Sequence, residues 1–178
     1  MDLTGIVIIV FIIAAVAGTI TSVVLYYVRK EEKIRCYQAA ANIVKEKYLR
    51  QSLKNPNFRV GDTSSIYDVR MMAYIKNISS KQKKGYVFDV GDGVSFGRKG
   101  NCNILLNEST VSGMHCMLFL DHDRVYLSDS SANGTELKRG LSRVNVHSCV
   151  YEVLSGDKII VGSTVFRVTL FHFDGRVM

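Results

Sequence analysis

Hydrophobic and polar positions divide the chain into regions of different texture. From Leu3 to Val28 there is no charged residue and the run is almost wholly apolar. A run of that length can cross a bilayer core of about 30 Å with some tilt. From Arg29 to Lys54 Gly and Pro are absent, and Ala39-Ala40-Ala41 favours helix. Glu31/Arg35 and Glu46/Arg50 are i,i+4 pairs of the better orientation. The pattern predicts a helix over 29–55, into which the apolar segment is free to continue directly. Pro56 ends it, since the residue before a proline is biased away from α. Ile34, Tyr37, Ala41, Val44 and Tyr48 form a stripe with 3-4 spacing. A stripe this short fits a coiled-coil seam or a packing face equally well.

Residues 56–67 read as a linker, and from residue 68 the texture changes again. Val69–Ile78 reads as a first strand, Ser79–Lys84 is a polar, basic turn, and Tyr86–Val90 alternates as a second strand. Gly91-Asp92-Gly93 predicts a hairpin turn into Val94–Phe96. His115–Leu120 and Arg124–Ser128 predict a hairpin through Asp121-His122-Asp123. Ile159–Val161 and Thr164–Phe173 predict another through Gly162-Ser163. Many short strands between turn signals indicate an all-β sandwich over 68–174. No helical pattern interrupts them, so a parallel βαβ sheet is not expected.

Charge changes the picture at the membrane end. Of a formal net charge of +7, most lies between Arg29 and Arg59, where nine Lys and Arg face three Glu. Positive charge beside an apolar span predicts that this side is cytoplasmic, with the N-terminus outside. Tyr26-Tyr27 suits the interface, residues 3–28 the lipid, and the cations anionic headgroups. Ala15-Val16-Ala17 resembles a cleavage site, but no Lys or Arg precedes the apolar run and the run continues well past it. A retained anchor, with 1–28 as tail and membrane span, is therefore the expectation. Ala14, Gly18 and Ser22 recur every four residues, a small-residue face that is compatible with a homodimer but common in any membrane helix. Cys36, Cys102, Cys116 and Cys149 show no metal-like spacing, and a cytoplasmic domain keeps them as thiols.

Three short polar signals stand out among the strands. Gly97-Arg98 ends a strand, Ser112 and His115 precede another, and Asn133-Gly134-Thr135 forms a turn. The rigid guanidinium fork suits phosphate, a hydroxyl adds a second contact, and an Asn amide can pair with peptide backbone. Taken singly, each is an ordinary surface or turn residue. Together with Leu154-Ser155-Gly156-Asp157-Lys158-Ile159-Ile160-Val161-Gly162, and with Asn103-Ile104 before Val111-Ser112, they resemble the forkhead-associated (FHA) domain over roughly 68–173. The resemblance implies a β-sandwich that binds phosphothreonine peptides. It implies that Arg98 and Ser112 contact the phosphate, and that Asn133 holds the peptide main chain, with Gly113 and Lys99 beside it. It implies structural roles for Gly97, His115, Gly134 and Thr135. Two positions depart from the family: Gly113 stands where Arg or Asn is frequent, and Ala132 where Ser or Thr is usual. Lys99 and Lys138-Arg139 offer compensating charge.

Enzyme readings find little support. Ser112, His115 and Asp129 are the ingredients of a hydrolase triad, but Gly-x-Ser-x-Gly is absent. No phosphate-loop motif appears, and no cofactor or metal is expected. Without Trp, the basic stretches lack a stacking platform for nucleic acid. The expectation is a membrane-tethered reader of a phosphothreonine-bearing protein or membrane complex. The alternative is a structural subunit of a membrane secretion or pilus machine, using the same fold without phosphate.

Overall fold

The computed structural model describes residues 2–54, 69–80 and 84–174. The expected linker 56–67 and part of the expected turn at 79–84 lie outside these. The chain divides into two compact units, Met1–Gln38 and Ala39–Met178. One helix, α1 (Leu3–Lys54), runs through both without interruption. The chain is therefore not all-β overall: the membrane-type and basic segments form a single helix, the direct continuation that the sequence left open. Nothing in the sequence between them breaks a helix.

In the first unit every large apolar side chain from Ile6 to Val28 is exposed, from 44% at Ile6 to 72% at Phe11. The helix is long and apolar enough to cross a membrane. Its hydroxyls turn inward: Thr19 Oγ1 donates to Val16 O at 2.8 Å and Ser22 Oγ to Gly18 O at 2.8 Å.

The second unit is a sandwich of two sheets. Strands β1 (Arg70–Asn77) and β2 (Gly85–Asp89) belong to the first, and β3 (Val94–Gly97), β4 (Ile104–Leu105), β5 (Cys116–Asp121) and β6 (Arg124–Asp129) to the second. Strands β7 (Glu136–Arg139) and β8 (Ser142–Asn145) return to the first, β9 (Val150–Glu152) to the second, and β10 (Lys158–Val161) and β11 (Thr164–Phe173) to the first. The first sheet has the order β2-β1-β11-β10-β7-β8, the second β4-β3-β5-β6-β9. All pairings are antiparallel except β3 with β4.

Period-2 alternation fills the space between the sheets. Ile75, Phe96, Leu118, Leu127, Ile159, Phe166 and Val168 are almost fully buried. Phe96 and Phe166 meet edge-on across the layers, ring centroids 5.4 Å apart. Each such side chain contributes about 1.5–3 kcal/mol by leaving water.

Both predicted hairpins with tight turns form, β5–β6 and β10–β11. His122 and Asp123 take the positive φ values of 44° and 61° that the β5–β6 turn requires. The predicted hairpin at Gly91-Asp92-Gly93 does not form. Strands β2 and β3 lie in different sheets, and Val90–Asp92 is a 3-10 turn that carries the chain from one to the other. Asp89 caps it by accepting from Gly91 N at 3.0 Å. A Gly-Asp-Gly triplet serves either purpose, and the alternation around it does not distinguish a hairpin from a crossover.

The last turns of α1 belong to this unit. Ala40 and Val44 are buried while Ile34 is 48% exposed, so the buried line is the i,i+4 row through Ala40 and Val44. Of the expected stripe Val44 is buried, Tyr37, Ala41 and Tyr48 are half-buried, and Ile34 is exposed. Lys47 Nζ reaches Asp89 Oδ2 at 2.6 Å and also Asp92. Asp89 is the register partner of Met72 on the outer face of the first sheet, opposite the core-facing Ala73 and Ile75. The ion pair thus places these turns over that outer face. Arg70 adds a second cation at 3.1 Å.

Burial pushes the Asp89 carboxyl up, but Lys47, the Gly91 N–H and Arg70 together outweigh it and hold it below the usual aspartate value of 3.8. The folded value lies below the unfolded one, so the stabilisation is complete above the unfolded value and fades as pH falls through the folded one. Asp89→Asn is expected to cost about 2 kcal/mol at pH 7, allowing for screening at the partly open Lys47. Urea unfolding of the full chain in detergent checks this. The gap between wild type and variant should be constant from pH 7 to about 5 and shrink below about 4.

Candidate functional site

The polar signals of the sequence meet at one end of the sandwich, where three loops are hydrogen-bonded to one another. The first follows β3. Arg98 N donates to Ser112 O at 3.0 Å and Lys99 N to Gly113 O at 2.9 Å. Gly97 makes this approach possible: a Cβ there would lie 2.3 Å from Gly113 O. The loop is closed at its base, because Asn103 Oδ1 accepts from Ser95 N at 2.9 Å and Ser95 Oγ at 2.7 Å. Cys102 Sγ donates to Gly113 O at 3.3 Å.

The second loop carries Thr110, Ser112 and Gly113. Ser112 lies four residues before β5. His115 is fully buried and joins this loop to the third. Its Nδ1 accepts from Ser112 N at 3.1 Å, so the ring proton sits on Nε2, which donates to Gly134 O at 3.2 Å. The third loop runs from Ser130 to Thr135. Ala132 N donates to Ser112 Oγ at 3.2 Å, and Asn133 Nδ2 donates to Thr110 O at 2.7 Å. Gly134 has φ of 81°, a conformation that disfavours side chains.

Beneath this loop sits a hub that sequence reasoning missed. Asp129, with a fully buried carboxylate, accepts from Ser131 N at 3.0 Å, Ser131 Oγ at 3.0 Å and Thr135 Oγ1 at 2.5 Å. Ser131 Oγ accepts in turn from Gly134 N at 2.8 Å. The bonds of Ser131 and Thr135, and through Ser131 that of Gly134 N, trace back to this carboxylate. The Asp-x-Ser spacing was the available signal, since Asp and Ser hydrogen-bond backbone two residues on. Glu108 was also missed. It ties the second loop to the β10–β11 turn, accepting from Ser163 N at 2.8 Å and Thr164 Oγ1 at 2.6 Å, and these bonds hold its carboxyl below the usual glutamate value.

Ser112, His115 and Asp129 are thus brought together but not wired for catalysis. The imidazole Nδ1 faces the Ser112 main chain rather than its hydroxyl, and its Nε2 is 4.0 Å from Asp129 Oδ2. Burial pushes the Cys116 thiol up to about 12, which keeps it a neutral packing group. Among the described residues no cluster of His, Cys, Asp and Glu could hold a metal. Arg139 does not lend charge to the site: its guanidinium is forked onto buried Asp157 at 2.7 and 3.0 Å and donates to Glu152 O.

Arg98, Lys99 and Asn133 are exposed, and Ser112 and Gly113 half-buried. Among the described residues the Arg98 guanidinium has no hydrogen-bond or ion-pair partner. The arrangement offers an open cation, a hydroxyl whose proton is uncommitted, and a carboxamide with one N–H and its oxygen free. That set fits an anionic group on an extended chain.

The family model of the FHA domain matches residues 94–162, which include all three loops of this site. The chain carries an FHA domain. FHA domains bind phosphothreonine peptides and are typically interaction modules rather than enzymes. Solved structures similar to this chain include Mycobacterium tuberculosis EmbR in complex with a low-affinity phosphopeptide. It is 22% identical over 55% of this chain and 24% of EmbR, with a TM-score of 0.47. The MEK1 FHA domain in complex with a HOP1 phosphothreonine peptide is 24% identical over 55% of this chain and 95% of that one (TM-score 0.44). The FHA domain of CT664 from Chlamydia trachomatis is 17% identical over 56% and 96% (TM-score 0.44). No curated protein matches the chain.

Gly97→Ala tests the close approach of the first two loops. The added methyl must push Gly113 away, at about 1–3 kcal/mol. Loss of the two backbone bonds should shift the amide resonances of Arg98 and Lys99 while β5 and β6 keep theirs. Unchanged resonances would show that the loops do not depend on this contact.

Proposed function

We propose that this protein is a membrane-anchored phosphothreonine reader that holds a phosphorylated partner at the cytoplasmic face. Arg98 and Ser112 take the phosphate. Asn133 fixes the peptide main chain, and His115, Asp129, Gly97, Gly134 and Thr135 hold the loops that present them. The carrying observation is the Arg98 guanidinium, without a partner among the described residues, on a loop bonded directly to Ser112. A buried network this complete spends its polar groups on positioning, which is what recognition of one rigid anion needs. The domain acts by binding and not by catalysis.

Three features support the anchor. The apolar side chains of residues 6–28 are exposed, which water does not tolerate over such an area. The hydroxyls of Thr19, Thr21 and Ser22 bond to helix carbonyls, as a lipid environment demands. Cations begin at Arg29, directly after the Tyr26-Tyr27 pair. Helix and site are joined in one chain, so binding is confined to partners near the membrane, at raised effective concentration. The small-residue face at Ala14, Gly18 and Ser22 is open to a second copy of the helix.

A second reading is a phosphate-independent subunit of a membrane assembly. Gly113 and Ala132 favour it, because two polar side chains frequent in the family are missing from the site.

The deciding experiment titrates the full chain in detergent with a degenerate phosphothreonine peptide library and its unphosphorylated counterpart. Phosphate-dependent binding that falls by at least about 30-fold in Arg98→Ala is expected, in line with about 2 kcal/mol or more for a charged, bidentate hydrogen bond. A folded protein that binds both libraries alike, or neither, would shift the assignment to the assembly subunit.

A further inference from the structure

Position 113 has no side chain, yet the space beside it is filled. A methyl carbon placed on Gly113 would lie 2.9 Å from Cε, 3.1 Å from Cγ and 3.2 Å from Cδ of Lys99. The aliphatic stem of Lys99 therefore lies along the bare face of the glycine. Its root is fixed as well: Lys99 N donates to Gly113 O at 2.9 Å, and Lys99 O accepts from Cys102 N at 3.0 Å. Lys99 is exposed, and among the described residues its ammonium has no partner. Gly113 follows Ser112 directly, so this free cation is carried over the residue next to the hydroxyl of the proposed phosphate site.

Charge balance gives the cation a purpose. A phosphothreonine brings about −1.5 to −2 charges at neutral pH. Arg98 supplies one positive charge, and Arg139 is already committed to Asp157. An ammonium needs no fork geometry, since it is a compact charge on a flexible stem that gains by lying on apolar surface. We infer that Lys99 is a second phosphate-binding cation, and that Gly113 is the condition for it: the chain carries its second charge from the first loop across a glycine rather than from a side chain at 113. This rests on the phosphopeptide reading of Arg98 and Ser112.

Two predictions separate this from a merely exposed lysine. Lys99→Met keeps the stem and removes the charge. It should weaken phosphopeptide binding by about tenfold and lessen its salt sensitivity, whereas Lys99→Arg should stay within about threefold of wild type. Gly113→Asn should also weaken binding, because the new side chain displaces the Lys99 stem. The double variant Lys99→Ala/Gly113→Arg returns a cation to the same space and should recover binding to within about threefold. The full chain in detergent would be titrated with the phosphothreonine library, with thermal unfolding run on each variant and Arg98→Ala as control. If Arg98→Ala abolishes binding while Lys99→Met stays within about twofold of wild type, the inference falls and the phosphopeptide reading stands. If Lys99→Met weakens binding but the double variant does not recover it, Gly113 is not the condition claimed. If the wild type shows no phosphate dependence, both fall together.

Discussion

The site depends on two backbones lying closer than side chains permit. With no Cβ at Gly97, the carbonyl of Gly113 moves into the space and Arg98 and Lys99 donate to consecutive carbonyls of the facing loop. Those bonds fix the roots of both cations. Without them the main chain at Arg98 and Lys99 would have to be ordered on binding, at about 1–2 kcal/mol per residue of backbone entropy. The glycine pair therefore preorganises the two loops, although neither residue has a side-chain functional group. The same contact explains why Cys102 is small and buried: its sulfur shares the Gly113 carbonyl.

What keeps three loops in register is a set of buried polar groups that bond to main-chain atoms and to the hydroxyls of Ser131 and Thr135. His115 spans from Ser112 N to Gly134 O, and Asp129 collects the donors of Ser131 and Thr135. Each bond contributes only about 1 kcal/mol net, but a buried donor or acceptor left alone costs about 1–3 kcal/mol. The asymmetry makes the network cooperative, since losing one member strands its neighbours. Rigid loops follow from that penalty more than from the strength of any bond. Glu108 extends the principle to the opposite sheet, where it pins the β10–β11 turn.

Legibility in the sequence followed the reach of each signal. Tight hairpins were readable because turn chemistry and alternation are both local, as at Asp121-His122-Asp123 and Gly162-Ser163. Gly91-Asp92-Gly93 misled because the same residues also suit a crossover, and the choice of sheet is made by packing far along the chain. Short strands β4, β7, β8 and β9 carry too few residues for a period to show. The α1 stripe located the packed face but not its centre: Ala40, outside the stripe, is fully buried, because periodicity gives a face whereas the row that is buried depends on packing far along the chain.

Site residues divide in the same way. Arg98, Ser112 and Asn133 stood out because exposed polar groups next to glycines form recognisable local patterns. Asp129, Glu108 and the stem of Lys99 did not, because their roles exist only between loops. Asp129 reads in sequence as one more strand-end carboxylate, and only the fold sets it under Ser131, Thr135 and His115. Gly113 is the sharpest case. As a letter it is a missing polar contact, a loss. In three dimensions it is room, and the room is taken by the aliphatic stem of a lysine from the facing loop. A residue-by-residue comparison counts side chains at positions, whereas a bound anion would respond to charge at points in space. The two agree only when the facing loop is empty, and here it is not.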